Sequence, residues 1–190
     1  MRIFVGCSSK NEINENYKID CKNYLQELFK QDFDLVFGAY DASLMGIAYH
    51  EALNQKHKII AICPEAYKSD LKTLKCDEEY LTETVNQRTE SLLQQSDVLL
   101  YLPGGIGTFH EFFAAIESKR CHEFDKPIIL YNCCGFYDDL IKFLNKAVSE
   151  NFIPDYIMDS FHISNSVEDT LEYINSQIKT KKLELNKFKF

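Results

Sequence analysis

Five short, continuously apolar segments constrain the fold of this chain more than any other feature of its sequence. They are RIFVGC (2–7), DLVFG (34–38), KIIAIC (58–63), DVLLYL (97–102) and KPIILYN (126–132). Each run is followed by a longer segment of mixed polarity. Continuous rather than alternating apolarity is typical of strands that are buried on both faces, as in a parallel sheet. The pattern therefore predicts an α/β fold in which helices cover both faces of the sheet.

The segments between these runs have helical patterns, at roughly 12–30, 42–55, 80–95, 108–121, 137–149 and 166–180. Alternating strands and helices of this kind predict a Rossmann-like, doubly wound parallel sheet. In such a sheet, ligands bind beyond the carboxyl ends of the strands. We therefore expect the site in the loops that follow the runs. The long polar stretch CPEAYKSDLKTLKCDEEY (63–80) is expected to be an active-site loop.

Length and composition predict one domain and exclude several classes of partner. The 190 residues, 45% of them hydrophobic, suffice for one sizeable core, which we expect over residues 1–180 with a basic C-terminal tail at 181–190. A net charge of −8 disfavours binding to nucleic acid or to an anionic membrane. No apolar run reaches the ~18 residues of a membrane span. Seven cysteines without a C-x-x-C pair suit a reducing compartment, so we expect a cytoplasmic protein. No cysteine, histidine or aspartate cluster has the spacing of metal ligands, so we expect no metal, and no cofactor is expected.

Three of the seven glycines stand together in LPGGIGTFHE, at Gly104, Gly105 and Gly107. We call residues 104–107 the glycine corner. It joins the fourth apolar run to a helix expected to begin near Thr108, so its amides lie at the positive end of a helix dipole, where a phosphate binds well. The spacing matches neither a P-loop nor a dinucleotide fingerprint. A phosphate site and a simple tight turn both remain open at this point.

Glu111 follows the glycine corner and has two interpretations. Thr108 and Glu111 match the T-x-x-E capping box, in which both side chains bond to free amides of the first helical turn. Alternatively, the phosphate takes those amides and the carboxylate addresses another part of the ligand, such as a ribose. The helix N-terminus is expected to lower the pKa of Glu111, which favours an ionised carboxylate.

The motif LPGGIGTFHE resembles the P-G-G-x-G-T-x-x-E signature of the LOG (LONELY GUY) family of cytokinin-activating phosphoribohydrolases, also labelled lysine decarboxylase-like. The similarity extends through SLMGIAYHEAL, QRTESLLQQSDVLLYLPGG and DKPIILYNCCGFYDDLIKFLNKAVSENFI, or roughly residues 2–153. It implies a hydrolase that cleaves the N-glycosidic bond of a nucleoside 5'-monophosphate, giving a free base and ribose 5-phosphate. It also implies a homodimer with sites near the interface.

The resemblance assigns roles residue by residue. Arg88 and Glu111 fall on the catalytic pair of the family, and Thr89 stands where the family has a lysine. The phosphate is expected on the glycine corner and the residue after it: Gly104, Gly105, Ile106, Gly107 and Thr108. Three further residues are candidates for substrate binding because of their segments, GCSSK, GAYDASLMG and ESKRCH: Ser8, Gly46 and Glu117.

Outside the glycine corner, the chain differs from the family pattern in two segments. Where the family has G-G-x-x-x-G-L-M-G, Ala39 and Ser43 replace glycines and Tyr40 and Asp41 add bulk; ESKRCH replaces T-W-x-Q-L-G. The accepted base is therefore open between an adenine type, as in AMP or a cytokinin riboside monophosphate, and a pyrimidine, as in CMP. A non-catalytic carrier resembling molybdenum-cofactor carriers is the alternative function. A DNA-processing role is disfavoured by the acidic charge.

Overall fold

The computed structural model describes residues 1–187, and its strands form one seven-stranded sheet in which every pair is parallel. The order across the sheet is β4-β3-β2-β1-β5-β6-β7. The strands are β1 (Arg2–Gly6), β2 (Asp34–Phe37), β3 (Ile59–Pro64), β4 (Glu78–Thr82), β5 (Val98–Tyr101), β6 (Ile128–Tyr131) and β7 (His162–Ser164). The expected fold class is confirmed.

Within residues 1–187, six α-helices lie between successive strands and a seventh follows β7. They are α1 (Glu15–Leu28), α2 (Ser43–Asn54), α3 (Lys68–Leu71), α4 (Val85–Gln94), α5 (Ile106–Arg120), α6 (Asp138–Ser149) and α7 (Val167–Lys187). Within residues 1–187, no helix has both the length and the apolar character that crossing a membrane requires. The expected domain boundary at residue 180 falls inside α7, and residues 188–190 of the expected tail lie outside the described part of the chain.

The two edge strands are absent from the sequence-based prediction. β4 occupies the start of the segment expected to be a helix over 80–95, and its residues alternate between partly buried and exposed. This period of two is typical of an edge strand with one solvated face. β7 has only three residues, too few for a detectable pattern.

Two hydrophobic clusters, one on each face of the sheet, form the core. Successive residues of β1 point to opposite faces, so Ile3 and Val5 belong to one cluster and Phe4 to the other. Helices α1, α2 and α7 cover the first face, and α4, α5 and α6 cover the second. Because both faces are covered, the loops at the strand ends are the natural place for a cleft.

The order of the strands places one such cleft beside β1. The chain builds β2, β3 and β4 on one side of β1 and then returns to place β5 on the other. The loops that follow β1 and β5 therefore diverge at the carboxyl edge, and a crevice at this point of a doubly wound sheet is the usual ligand site. The two loops are joined by a hydrogen bond from the Ser8 amide to the Pro103 carbonyl at 3.0 Å.

Candidate active site

Arg88 and Glu111, which lie 23 residues apart in the sequence, form an ion pair. The Arg88 Nη1 donates to Glu111 Oε1 at 2.7 Å, and only 16% and 7% of the two side chains are exposed. A capping box between Thr84 and Gln87 fixes the start of α4 and so positions Arg88 in the second helical turn. Tyr101 of β5 donates its hydroxyl to the Glu111 carbonyl at 3.0 Å, which ties α5 to the sheet.

The pKa of Glu111 is shifted in the direction opposite to the one expected from the sequence. Burial raises the pKa of Glu111 above its ordinary value, and the attraction and hydrogen bond of Arg88, with a smaller effect of His110, lower it in part. The expected lowering by the helix N-terminus is therefore wrong in its net direction. The reason is that Glu111 lies more than one turn inside α5 and is only 5% exposed, so desolvation outweighs the dipole.

Gly38, at the end of β2, provides the space for the Arg88 guanidinium. A Cβ on Gly38 would overlap Nη2 of Arg88, and no positive φ requires glycine at this position. The guanidinium therefore lies against the bare backbone of Gly38 while its other nitrogen holds Glu111. Sequence reasoning did not select Gly38, although its position at a strand end was a signal that could have found it.

Helix α5 begins two residues before the expected start. Its N-cap is Gly105, which has no side-chain cap, and Ile106 is the first helical residue. Thr108 is therefore the third helical residue instead of the cap, and the capping-box interpretation of Glu111 is excluded. The first bond within the helix runs from the Phe109 amide to the Gly105 carbonyl at 3.0 Å. The amides of the three preceding residues therefore have no carbonyl acceptor inside the helix.

The three glycines of the corner have different surroundings. A Cβ on Gly104 would overlap Thr108, so this glycine is required by packing within the chain. A Cβ on Gly105 or Gly107 would meet no atom within 4 Å, and neither residue has a positive φ. Nothing in the described chain therefore requires glycine at 105 and 107. The open space in front of them is the cradle that an incoming anion would need.

A cavity of about 700 Å³ opens in front of Arg88, and we call it the arginine cavity. It lies between the loops that follow β1 and β2, the end of β3 and the start of α4. Tyr40 and Tyr67 are exposed at its wall. Tyr67 lies in a short 3-10 helix after β3, within the stretch 63–80 that the sequence predicts as a loop. A volume of this size accommodates a small organic ligand.

A second, mainly apolar depression of about 340 Å³ lies at the glycine corner, and we call it the glycine groove. It is lined by Ser8, Gly104 and Gly105 together with side chains of the β1–α1 loop, α1 and Phe136. Lys10 lines both the groove and the arginine cavity, so the two form adjoining parts of one cleft. Lys10 is a further cationic candidate that sequence reasoning quoted within GCSSK but did not select.

Of the predicted site residues, Ser8, Arg88, Gly104 and Gly105 line this cleft. The other seven do not line it: Glu111, Ile106, Gly107, Thr108, Thr89, Gly46 and Glu117. Thr89 is buried with an unpartnered hydroxyl and faces a separate cavity of about 680 Å³ between α4 and α5. Gly46 is buried in α2, where a Cβ would lie 2.7 Å from the Asp41 carboxylate. Glu117 is exposed and accepts a bond from Arg120 Nε at 2.7 Å, about 9 Å along α5 from Glu111.

In the turn where the resemblance has glycines, two other residues adopt a backbone conformation that glycine favours. Ala39 has a φ of 62° and Ser43 a φ of 52°, so both residues occupy the left-handed region where glycine is favoured. The Asn11 carboxamide accepts a bond from the Ser43 amide at 3.0 Å and so holds this turn against the β1–α1 loop. The replacements therefore alter side-chain bulk at the arginine cavity more than the path of the chain.

Comparison with known proteins places the site in a family. A family model described as possible lysine decarboxylase matches residues 45–174, a span that contains Arg88, the glycine corner and Glu111. The cytokinin riboside 5'-monophosphate phosphoribohydrolase LOG2 of Arabidopsis thaliana is 31% identical over 153 residues, which are 80% of this chain and 72% of that protein. The chain belongs to the LOG family.

One further relative and one solved structure are similar to this chain over most of its length. The probable cytokinin riboside 5'-monophosphate phosphoribohydrolase LOGL6 of Oryza sativa subsp. japonica is also 31% identical over 80% of this LOG family chain, which spans 61% of that longer relative. A solved structure of the Moco carrier protein from Chlamydomonas reinhardtii has a TM-score of 0.69 and covers 94% of this chain and 98% of its own. At 18% identity, that similarity shows the fold alone.

Proposed function

We propose that this chain is a nucleoside 5'-monophosphate phosphoribohydrolase. The observation that carries the proposal is the buried ion pair of Arg88 and Glu111 at 2.7 Å, at the edge of a cleft whose other end has free helix amides. Two relatives that match 80% of this chain are named as a phosphoribohydrolase, or probable phosphoribohydrolase, of cytokinin riboside 5'-monophosphates. A carrier of a phosphorylated ligand would have no need of a carboxylate beside the sugar.

The proposed roles follow from the chemistry of the groups. The amides of Ile106 and Gly107 and the space in front of Gly105 receive the 5'-phosphate. The ionised carboxylate of Glu111 stabilises the positive charge that develops at the anomeric carbon as the glycosidic bond breaks, and it orients the attacking water. Water adds to that carbon, and the base leaves with a proton. Arg88 holds the carboxylate in position and presents its remaining N–H groups to the ligand.

The base of the substrate is expected in the arginine cavity. Tyr40 and Tyr67 offer aromatic faces that suit a nucleobase, and neither side chain is specific for one base. We propose AMP or a cytokinin riboside monophosphate as the natural type of substrate, with CMP as the pyrimidine alternative. Thr89, Gly46 and Glu117 remain proposed substrate-binding residues, and all three lie outside the cleft described for one chain.

We propose a cytoplasmic homodimer. The resemblance implies a site near a subunit interface, and large apolar side chains are exposed on the two helices that carry the catalytic pair: Val85, Ile106 and Phe113. Exposed apolar side chains next to a cavity are common at interfaces between subunits. Sedimentation equilibrium tests this proposal, since a homodimer has twice the mass of the chain and a monomer would contradict it.

The function is tested by incubating the purified protein with AMP, GMP, CMP, UMP and a cytokinin riboside 5'-monophosphate. Release of ribose 5-phosphate and of the free base is measured for each compound, with the Glu111→Gln protein as the blank. Equal amounts of the two products from at least one monophosphate are expected. Tight binding of a monophosphate without any release of products would instead support a carrier and would reject the hydrolase.

A further inference from the structure

Two thiols and a carboxylate meet on the face of the sheet that α1 covers, outside the arginine cavity. Cys133 and Cys134 follow β6 in a short 3-10 turn, and Asp20 lies on α1. The Sγ atoms of Cys133 and Cys134 are 3.8 Å apart, and the Cys134 Sγ is 3.8 Å from Asp20 Oδ2. All three candidate ligand atoms lie within 4.8 Å of one another.

These separations fit a shared metal ion. Two sulfurs bound to one tetrahedral zinc at ~2.3 Å stand about 3.8 Å apart, and a sulfur and a carboxylate oxygen bound to the same ion stand about 3.5 Å apart. The two Sγ atoms already stand at this spacing, and the Cys134 Sγ and Asp20 Oδ2 are within a few tenths of an ångström of it. The Cys133 Sγ and the Asp20 oxygen, which lie within 4.8 Å of each other, would have to approach by up to about 1.3 Å. Thiolate and carboxylate together are a donor set that suits zinc and similar soft divalent ions.

The carboxylate is oriented by a partner of its own. The Tyr131 hydroxyl donates to Asp20 Oδ1 at 2.5 Å, which leaves Oδ2 directed towards Cys134. Tyr131 is held in turn by stacking on Tyr24, with ring centroids 3.9 Å apart. A fixed donor to the non-ligating oxygen is the usual outer-shell arrangement around a metal-bound carboxylate.

The Asp20 carboxylate has no cationic partner among the side chains that the structure describes: no lysine, arginine or histidine there forms an ion pair with it. A bound cation would balance the charge of the Asp20 carboxylate, and each thiol would release its proton to solvent as its sulfur binds.

We propose that Asp20, Cys133 and Cys134 form a binding site for a soft divalent cation of the Zn²⁺ type. Water is the available group for the fourth position. The ion would link α1 to the turn after β6. Its expected role is structural, because the site is separate from Arg88 and Glu111 and because Cys133 is almost fully buried.

The test uses the full-length protein, reduced and freed of metal with a chelator, and Co²⁺ as the probe. Titration is followed by the sulfur-to-cobalt charge-transfer absorption in the near ultraviolet. One Co²⁺ per chain is expected, displaced by Zn²⁺. Zn²⁺ should also raise the melting temperature, because it binds the folded state. Failure to show thiolate absorption on addition of Co²⁺ would overturn the proposal, whatever the outcome of the hydrolase assays.

Three variants locate the bound ion. Cys134→Ser should lose most of the absorption and the Zn²⁺-dependent rise in melting temperature; Cys134 is exposed, so the fold should tolerate serine. Tyr131→Phe should keep the thiolate absorption but weaken Zn²⁺ binding by about 10–100-fold, since it removes only the outer bond to Asp20. Cys121→Ser is the matched control, because Cys121 is also exposed but lies at the C-terminal end of α5, outside the proposed cluster. Equal Co²⁺ binding by Cys134→Ser and the unsubstituted protein would reject the site.

Discussion

At the scale of single residues, the proposed hydrolase activity depends on the contact between Arg88 and Glu111. Their separation in the sequence gives no direct sign that they touch, and the resemblance to the LOG family was the only reason to pair them. The structure adds that the pair is buried and that Gly38 makes room for the guanidinium. Three predictions follow from these contacts.

Replacement of Glu111 by glutamine should remove most turnover while leaving ligand binding nearly unchanged. Glutamine preserves the shape and can still accept a bond from Arg88, but it lacks the charge that stabilises the transition state. A positioned base contributes about 10²–10⁴-fold, so kcat should fall by that factor. Steady-state kinetics and calorimetric binding measure the two effects. Glu27→Gln, a surface change on α1, is the control; normal turnover in Glu111→Gln would reject the assigned role.

Gly38→Ala should reduce activity with little loss of stability. The added methyl group would displace the Arg88 guanidinium, which is the end of a flexible side chain, and a displacement of about 1 Å near reacting groups can cost about 10²-fold in rate. Arg88→Lys should cause a similar loss, because lysine cannot form the forked contact. The double variant should then be little worse than either single one. Additive losses would show that Gly38 does not act through Arg88.

The pH dependence should reveal the raised pKa of Glu111. The ionised carboxylate is the active form, so kcat/KM should fall as the pH drops through the pKa of Glu111 in the folded protein. Burial raises that pKa, which places the acidic limb of the profile above the ordinary glutamate value of about 4.3. A pH–rate profile measures it. A limb at or below the ordinary value, or activity that rises on acidification, would contradict this assignment.

At the scale of elements, the proposed phosphate site depends on the N-terminus of α5. Substitutions of its glycines can distinguish a role in packing from a role in ligand binding. Gly107→Ala should raise KM for a monophosphate, because the methyl group enters the open space in front of the amides. Stability should stay constant or rise by up to about 1 kcal/mol, because alanine favours the helix. Gly104→Ala should instead destabilise the fold by about 1–3 kcal/mol through its overlap with Thr108. Thermal unfolding and kinetics on both variants test this difference, and an unchanged KM in Gly107→Ala would contradict it.

The same elements show how far the sequence could predict the structure. The five central strands were predictable because each is a continuous apolar run, buried on both faces. β4 was not, because its two glutamates and alternating burial are typical of an edge strand and merged with the helical pattern of α4. The sequence predicts the start of α5 two residues late, because Thr108 resembles a helix cap, whereas the helix begins at Ile106 without a side-chain cap.

The site was predictable in part for a physical reason. Ser8, Gly104 and Gly105 follow strands in the sequence, and the topology brings strand ends together. The contribution of Gly38 depends on where the Arg88 side chain ends, and the cluster of Asp20 with Cys133 and Cys134 depends on how α1 packs on the sheet. Neither arrangement leaves a pattern along the chain.

At the scale of the whole molecule, the reversal of strand order at β1 unites these elements into one cleft. The chain brings the β1 and β5 loops, the end of β2 and the start of α4 to the same edge of the sheet. The glycine groove and the arginine cavity then adjoin through Lys10, so that one ligand can reach both with its phosphate at one end and its base at the other. This arrangement supports the proposal that the substrate is a nucleotide bound at both of its ends.

The central claim is that the glycine corner holds the 5'-phosphate of a substrate that Arg88 and Glu111 cleave. The most direct measurement is kcat/KM for release of the free base from a monophosphate and from the nucleoside with the same base, such as AMP and adenosine or CMP and cytidine. Each charge-assisted hydrogen bond contributes roughly 1.5–3 kcal/mol. Loss of two such bonds should therefore lower kcat/KM for the nucleoside by about 10²–10⁴-fold. Equal values for the two compounds would contradict the account, because the glycines would then only turn the chain.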